Sequence, residues 1–379
     1  MKYYTVENSN KSVNKVFTIY YICMATFCAL QVIVSLTGIF NHGIWGDIAS
    51  TLVIQVLVLL VLPFLLYMWL LKAKPKQIFE HCNFSKINIT VVLISLVLGV
   101  LAFFINIAVS SLFNGMLTFS GYRFAGGGAG DTGYSVGNFF LQVFLVAVCP
   151  AICEEFLHRG ILLQGIKHIG FRKAILISSI LFGLLHFNIR QVAYATVIGL
   201  LMGFISVVAK NIYPAIIVHF VNNFISTYLD FASANKWVFG DWLEKLQTLL
   251  LSGNSVVIFI VSGLVMIGVV ALLCLFIWLL YKQTIIRKVD KALDKAYDSF
   301  SVFSRNRPIR VEEQEVIVEL LENNTLLNLD IKPLENPIDV VMPKEKSRYK
   351  TSFRDNIFMW SAVFLGAIIT LFTYIWGLF

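Results

Sequence analysis

Charge is scarce in this chain of 379 residues: Asp, Glu, Lys and Arg make up 14% of it against 58% hydrophobic residues. A mean hydropathy of +0.78 goes with this and excludes an ordinary soluble domain. Cysteine is sparse too. Five of the six (Cys23, Cys28, Cys149, Cys153 and Cys274) fall in apolar stretches and Cys82 in a loop. Cys149 and Cys153 stand at i,i+4 spacing, but no second Cys/His pair follows at zinc-finger spacing, which argues against a structural metal clip. The glycine-rich loop from Gly121 to Gly133 has no preceding strand and no phosphate-binding lysine pattern. It reads as a flexible outer loop rather than a nucleotide cradle. No small-residue cleavage site follows the polar first residues, so the first helix is expected to stay in the mature protein.

What is abundant is apolar sequence in lengths that suit a bilayer, for which about 20 residues are needed. Approximate spans fall at 16–40, 48–71, 89–113, 136–168, 173–188, 191–209, 211–231, 254–281 and 357–378. The expected fold is all-α, a polytopic membrane helical bundle of about eight core transmembrane helices. A ninth, carboxyl-terminal helix over 357–379 follows a small cytoplasmic insert over 282–356. Pro150 interrupts the fourth span, which predicts a kink or a break there, tolerated only where neighbours satisfy the freed carbonyl. Residues 241–251 mix apolar and charged positions beside a span and predict a helix lying at the interface. The insert carries no motif with recognisable chemistry.

The net charge of +8 and pI near 9.1 read as topology, not as a nucleic-acid partner. Lys2, Lys11 and Lys15, then Lys72, Lys74, Lys76 and Lys86, then Lys167, Arg172 and Lys173 all fall on one parity of the spans, with Lys210 and the run Lys282 to Lys295. Positive-inside orientation therefore predicts a cytoplasmic amino terminus in 1–15, with the plasma membrane the expected location. His42, His81 and His168 sit in loops near the interface and need no role.

Against this background, Cys153-Glu154-Glu155-Phe156-Leu157-His158-Arg159-Gly160 puts two acids, an imidazole and a guanidinium in a sequence built for lipid. Charges at membrane depth are costly and mark a functional site. Two later spans each add a histidine, in Phe182-Gly-Leu-Leu-His186 and His219-Phe-Val-Asn-Asn223. With a rise of about 1.5 Å per residue, Glu154 and His186 each lie about 20 Å from the basic loop at 168–172, and His219 and Asn223 lie about 13 Å and about 19 Å from Lys210. Comparable depth predicts one shared site.

Glu154 and Glu155 point about 100° apart on a helix and should differ in role. The economical division pairs Glu155 with Arg159 as a buried ion pair and leaves Glu154 facing His186 and His219. Two mechanisms fit these side chains. Glu154 and His186 could activate a water for attack on a carbonyl while His219 and Asn223 donate to the oxyanion. Alternatively, Glu154, His186 and His219 match the carboxylate and two histidines of a catalytic zinc site with an open position.

The three segments resemble the EExxxR, FxxxH and HxxxN motifs of the CAAX-protease and bacteriocin-processing family of intramembrane proteases, in the expected order and over roughly 135–230. The resemblance implies that Glu154 and His186 activate water, that His219 and Asn223 stabilise the oxyanion, and that Glu155 and Arg159 support them. A metalloprotease label, with zinc as cofactor, is also used for the family. His158 departs from the pattern, standing where the family usually has an apolar or aromatic residue. It is expected to be a partner of Glu154 or a local helix contact. The implied function is an integral-membrane endopeptidase acting on membrane-associated peptides or lipidated proteins, either CAAX-type prenyl-proteins or bacteriocin leader peptides. The rivals are a non-catalytic bacteriocin-immunity or scaffolding protein and a proton-coupled transporter. Transport is disfavoured because no matching polar set appears in spans one to three or eight and nine.

Overall fold

Apolar runs that meet no water must close their backbone hydrogen bonds within themselves, and helices do this segment by segment. A computed structural model of the chain describes residues 6–40, 43–123, 133–242, 245, 255–304 and 356–378. Among the described residues every regular element is a helix. In chain order they are α1 (Val6–Thr37), α2 (Gly43–Leu71), the short α3 (Pro75–His81), α4 (Ile89–Phe119), α5 (Val136–Ile169), α6 (Phe171–Leu185), α7 (Ile189–Ala209), α8 (Tyr213–Asn235), α9 (Ser255–Ser304) and α10 (Ile357–Trp376). The protein is thus a polytopic helical bundle. Gly126, Gly127 and Gly128, most of 241–251 and residues 305–355 of the insert lie outside the described residues.

Helices occupy all nine expected spans, but seven of them are long and apolar enough to cross a membrane. The two exceptions carry the histidine motifs. α6 has 15 residues, ending at Leu185 just before Phe187 takes a left-handed φ of 48°, so it is short of a full span. α8 has 23 residues and fails on composition, because His219, Asn222, Asn223 and Asp230 dilute its apolar face. The predicted span 254–281 runs unbroken into the insert, since α9 continues to Ser304.

Two apolar cores flank the motif helices. One gathers α1, α2, α5, α6 and α10 around Tyr20, Met24, Leu59, Leu157 and Leu181. The other gathers α4, α5, α6, α7, α8 and α9 around Leu98, Leu163, Phe182, Met202 and Val218. α5 and α6 contribute to both, so their polar groups sit where the cores meet. Large apolar side chains remain outside at Leu36, Trp69, Leu112 and Phe364, as expected of surfaces that a bilayer covers.

α6 and α7 pack most closely at Gly183. A Cβ there would press on Thr196 Oγ1 and stand 2.8 Å from the Val192 carbonyl, backbone that cannot yield. Gly115, exposed on α4, has nothing within 4 Å of such a Cβ. Gly183→Ala is therefore expected to destabilise the protein by about 1–3 kcal/mol through overpacking. Gly115→Ala should match the wild type or exceed it. Thermal unfolding of the two variants in detergent checks both outcomes.

Candidate active site

The motif helix α5 runs through Pro150 without the break that was one of the two outcomes expected there. Its backbone instead widens to i→i+5 hydrogen bonding over Val143–Val148 and again over Phe156–Leu163, on either side of the glutamate pair. Such widened turns collect at functional sites. Proline has no N–H for the carbonyl four residues back, Val146. That carbonyl accepts from Asn223 Nδ2 on α8 at 3.0 Å. The satisfying neighbour is thus one of the motif residues.

Glu155 and Arg159 form a fully buried ion pair, with Nη1 2.8 Å from Oε1. Arg159 Nη2 also donates to the Gly199 carbonyl of α7 at 2.8 Å, and its guanidinium lies 4.5 Å from the centre of the Phe182 ring. His219 differs from the expectation that it faces Glu154. Its Nδ1 donates to Glu155 Oε1 at 3.0 Å, the oxygen that Arg159 uses. Depth along two helices says nothing about azimuth, and the 100° step puts Glu155 on the α8 side.

Glu154 takes its partner from α2, where Gln55 Nε2 donates to Oε1 at 3.0 Å. Its Oε2 is buried with no hydrogen-bond partner. His186 donates from Nδ1 to the Phe182 carbonyl at 2.9 Å, which leaves Nε2 of a neutral ring as an acceptor. His158 makes a local helix contact, Nδ1 to the Glu154 backbone carbonyl at 2.8 Å. The Tyr20 hydroxyl of α1 lies 3.1 Å from His158 Nε2 and donates to the Leu181 carbonyl at 2.8 Å. His158 therefore ties α5 to α1 and α6 and does not touch the Glu154 carboxylate.

Glu154, His186, His219 and Asn223 all line one cavity of ≈ 420 Å³, with Gln55, Asn106 and Asn222 among the other polar walls. A row of amides crosses its floor. Asn106 Nδ2 donates to Asn222 Oδ1 at 3.2 Å, Asn222 Nδ2 to Asn223 Oδ1 at 3.0 Å, and Asn223 to Val146. These bonds fix which way each amide faces. One N–H of Asn223 remains after its bond to Val146.

The zinc alternative asks for three ligands around one point. Among the described residues no three of His, Cys, Asp or Glu are grouped to hold a metal ion. Glu154, His186 and His219 line one cavity, and no step below is routed through a metal. Of the other histidines, His42 lies outside the described residues. His81 ends α3 with its ring centre 5.3 Å from that of Tyr67. Burial first, then Lys167 and His168, pushes its imidazole down to about 4, so it is uncharged at neutral pH.

Gln55 and Tyr20 were not found by motif spacing. Gln55 is the lone polar residue of the apolar run Leu52–Val61, and that isolation was its only signal, whereas Tyr20, beside Tyr21, had none.

The helical bundle buries Glu154, Glu155, His158, Arg159 and His219 beside a cavity that Glu154, His186 and His219 line, a built polar centre in a membrane protein. Residues 136–225 match the family model described as type II CAAX prenyl endopeptidase Rce1-like, and the match contains all three motifs. That segment is similar to a family whose description names a prenyl endopeptidase. No curated protein and no solved structure matches the chain.

Arg159→Ala would leave Glu155 buried without its cation. Breaking a buried pair this way costs about 3–5 kcal/mol, so the variant should accumulate poorly and unfold well below the wild type. Thermal unfolding in detergent measures the loss, and an unchanged midpoint would show that the pair carries no structural weight.

Proposed function

We propose that this protein is an integral-membrane endopeptidase that hydrolyses peptide bonds of membrane-associated substrates with a water activated by Glu154 and His186. The supporting observation is that four motif residues from three helices line one cavity. Glu154 Oε2 and His186 Nε2 are two acceptors there without a protein donor to occupy them. A water between them loses its proton to Glu154 as its oxygen bonds to the peptide carbonyl carbon, and the carbonyl π pair moves to oxygen. The remaining N–H of Asn223 donates to that oxyanion. His219, whose Nδ1–H is given to Glu155, can donate from Nε2 only as the imidazolium, the form this role requires. On collapse the C–N bond breaks and the amine leaves with the proton that Glu154 took, so one water is consumed per bond cut.

Glu155 and Arg159 are positioning residues in this scheme. They hold His219 from below and brace α5 against α7. The favoured substrates are CAAX-type prenylated peptides, in keeping with the description of the family that residues 136–225 match. Leader peptides of bacteriocin type are the second class. The amino terminus is assigned to the cytoplasm of a plasma-membrane protein, on the distribution of Lys and Arg.

Cleavage of a peptide panel by purified protein tests this reading, with prenylated CAAX peptides and leader peptides as its two arms. Glu154→Ala and His186→Ala should each lower kcat about 10²–10⁴-fold while retaining the fold. Asn223→Ala should lower it about 10²–10³-fold, the usual loss on removing one oxyanion donor. Activity unchanged in Glu154→Ala would end the assignment. Metal content of the active protein, together with its response to chelators, separates water activated by Glu154 and His186 alone from zinc chemistry.

A further inference from the structure

Gln55 belongs to no motif and lies outside the segment 136–225 that the family model covers. It stands in the apolar stretch Leu52–Val61 of α2, where the backbone widens to i→i+5 hydrogen bonding. An amide in such a run is costly unless it is hydrogen-bonded. Only half of it is. Nε2 donates to Glu154 Oε1 at 3.0 Å, whereas Oε1 is buried and has no partner. The carboxylate can only accept here, so the bond fixes which end of the amide faces Glu154.

The same bonded pair thus carries two buried, unpartnered acceptors, Gln55 Oε1 and Glu154 Oε2, and both residues line the ≈ 420 Å³ cavity. Two neighbouring acceptors call for a donor with two hydrogens. Water has two, and a site with two to four polar partners is the kind that orders one. We infer, building on the endopeptidase reading, that Gln55 is a further catalytic residue: its Nε2 fixes Glu154, and its Oε1 accepts from the attacking water. With one O–H shared between Gln55 Oε1 and His186 Nε2 and the other directed to Glu154 Oε2, the oxygen lone pairs of the water are left for the carbonyl carbon. The proton passed to Glu154 is the one on the second O–H, while the first stays on the new carboxyl oxygen. Glu154 is held from a helix outside the matched segment, so orientation of the water depends on α2 as well as on the three motifs.

Gln55→Met keeps the length of the side chain and removes both the donor and the acceptor. It should lower kcat about 10²-fold, the loss expected from misplacing a reacting group by about 1 Å. KM should stay within about twofold of the wild type and thermal unfolding should be close to it, a split that a merely structural residue would not produce. Gln55→Asn, which withdraws the amide by one methylene, should fold and lose kcat to a smaller extent. It serves as the deciding variant if Gln55→Met does not fold. Wild-type kcat in whichever variant folds, or a loss confined to KM, would overturn the role of Gln55 and leave the protease reading intact. Absence of cleavage by the wild type across the whole panel would instead overturn the protease reading and this inference with it.

Discussion

Glu155 Oε1 accepts from Arg159 on its own helix and from His219 on α8, while the second arm of Arg159 reaches the Gly199 carbonyl on α7. Three helices are therefore joined through one carboxylate and one guanidinium, both fully buried. Neither ion would be tolerated alone at this depth. The arrangement of α5, α7 and α8 follows from their need to satisfy each other, and the cavity is the space left beside that junction. Phe182, whose ring sits against the guanidinium, adds α6 to the junction and carries His186 one turn further on.

The two glutamates have become distinct through what neighbouring helices offer them. Glu155 gives one oxygen to both Arg159 and His219 and lies off the cavity, whereas Glu154 lines the cavity and is steadied by a neutral amide. A neutral partner orients a carboxylate without neutralising it. In the scheme proposed above, that is the difference between a brace and a base.

Much of this was legible in the sequence, for identifiable reasons. Acids and histidines in apolar runs are conspicuous, and i,i+4 spacing correctly paired Glu155 with Arg159. Rise along each helix sufficed to place Glu154, His186, His219 and Asn223 at one level, and they line one cavity. Azimuth between helices was not legible, because periodicity assigns a face to a helix but no neighbour to the face. This is why His219 was expected opposite Glu154 and is found on Glu155. Partners from distant spans, Gln55 and Tyr20, were hidden for the same reason. Span counting faltered where polarity and a chain reversal interrupt the apolar signal, at α8 and α6.

Pro150 has a meaning that its side chain does not express. Its contribution is a hydrogen bond that the helix is prevented from making for itself. The vacated carbonyl of Val146 is met by Asn223, so a deletion in one backbone becomes a link between two helices. A residue bearing an N–H at position 150 would compete for that acceptor and loosen α8 from α5. What holds the asparagine in register is thus a missing proton, and the most influential group near the site contributes no functional atom to it.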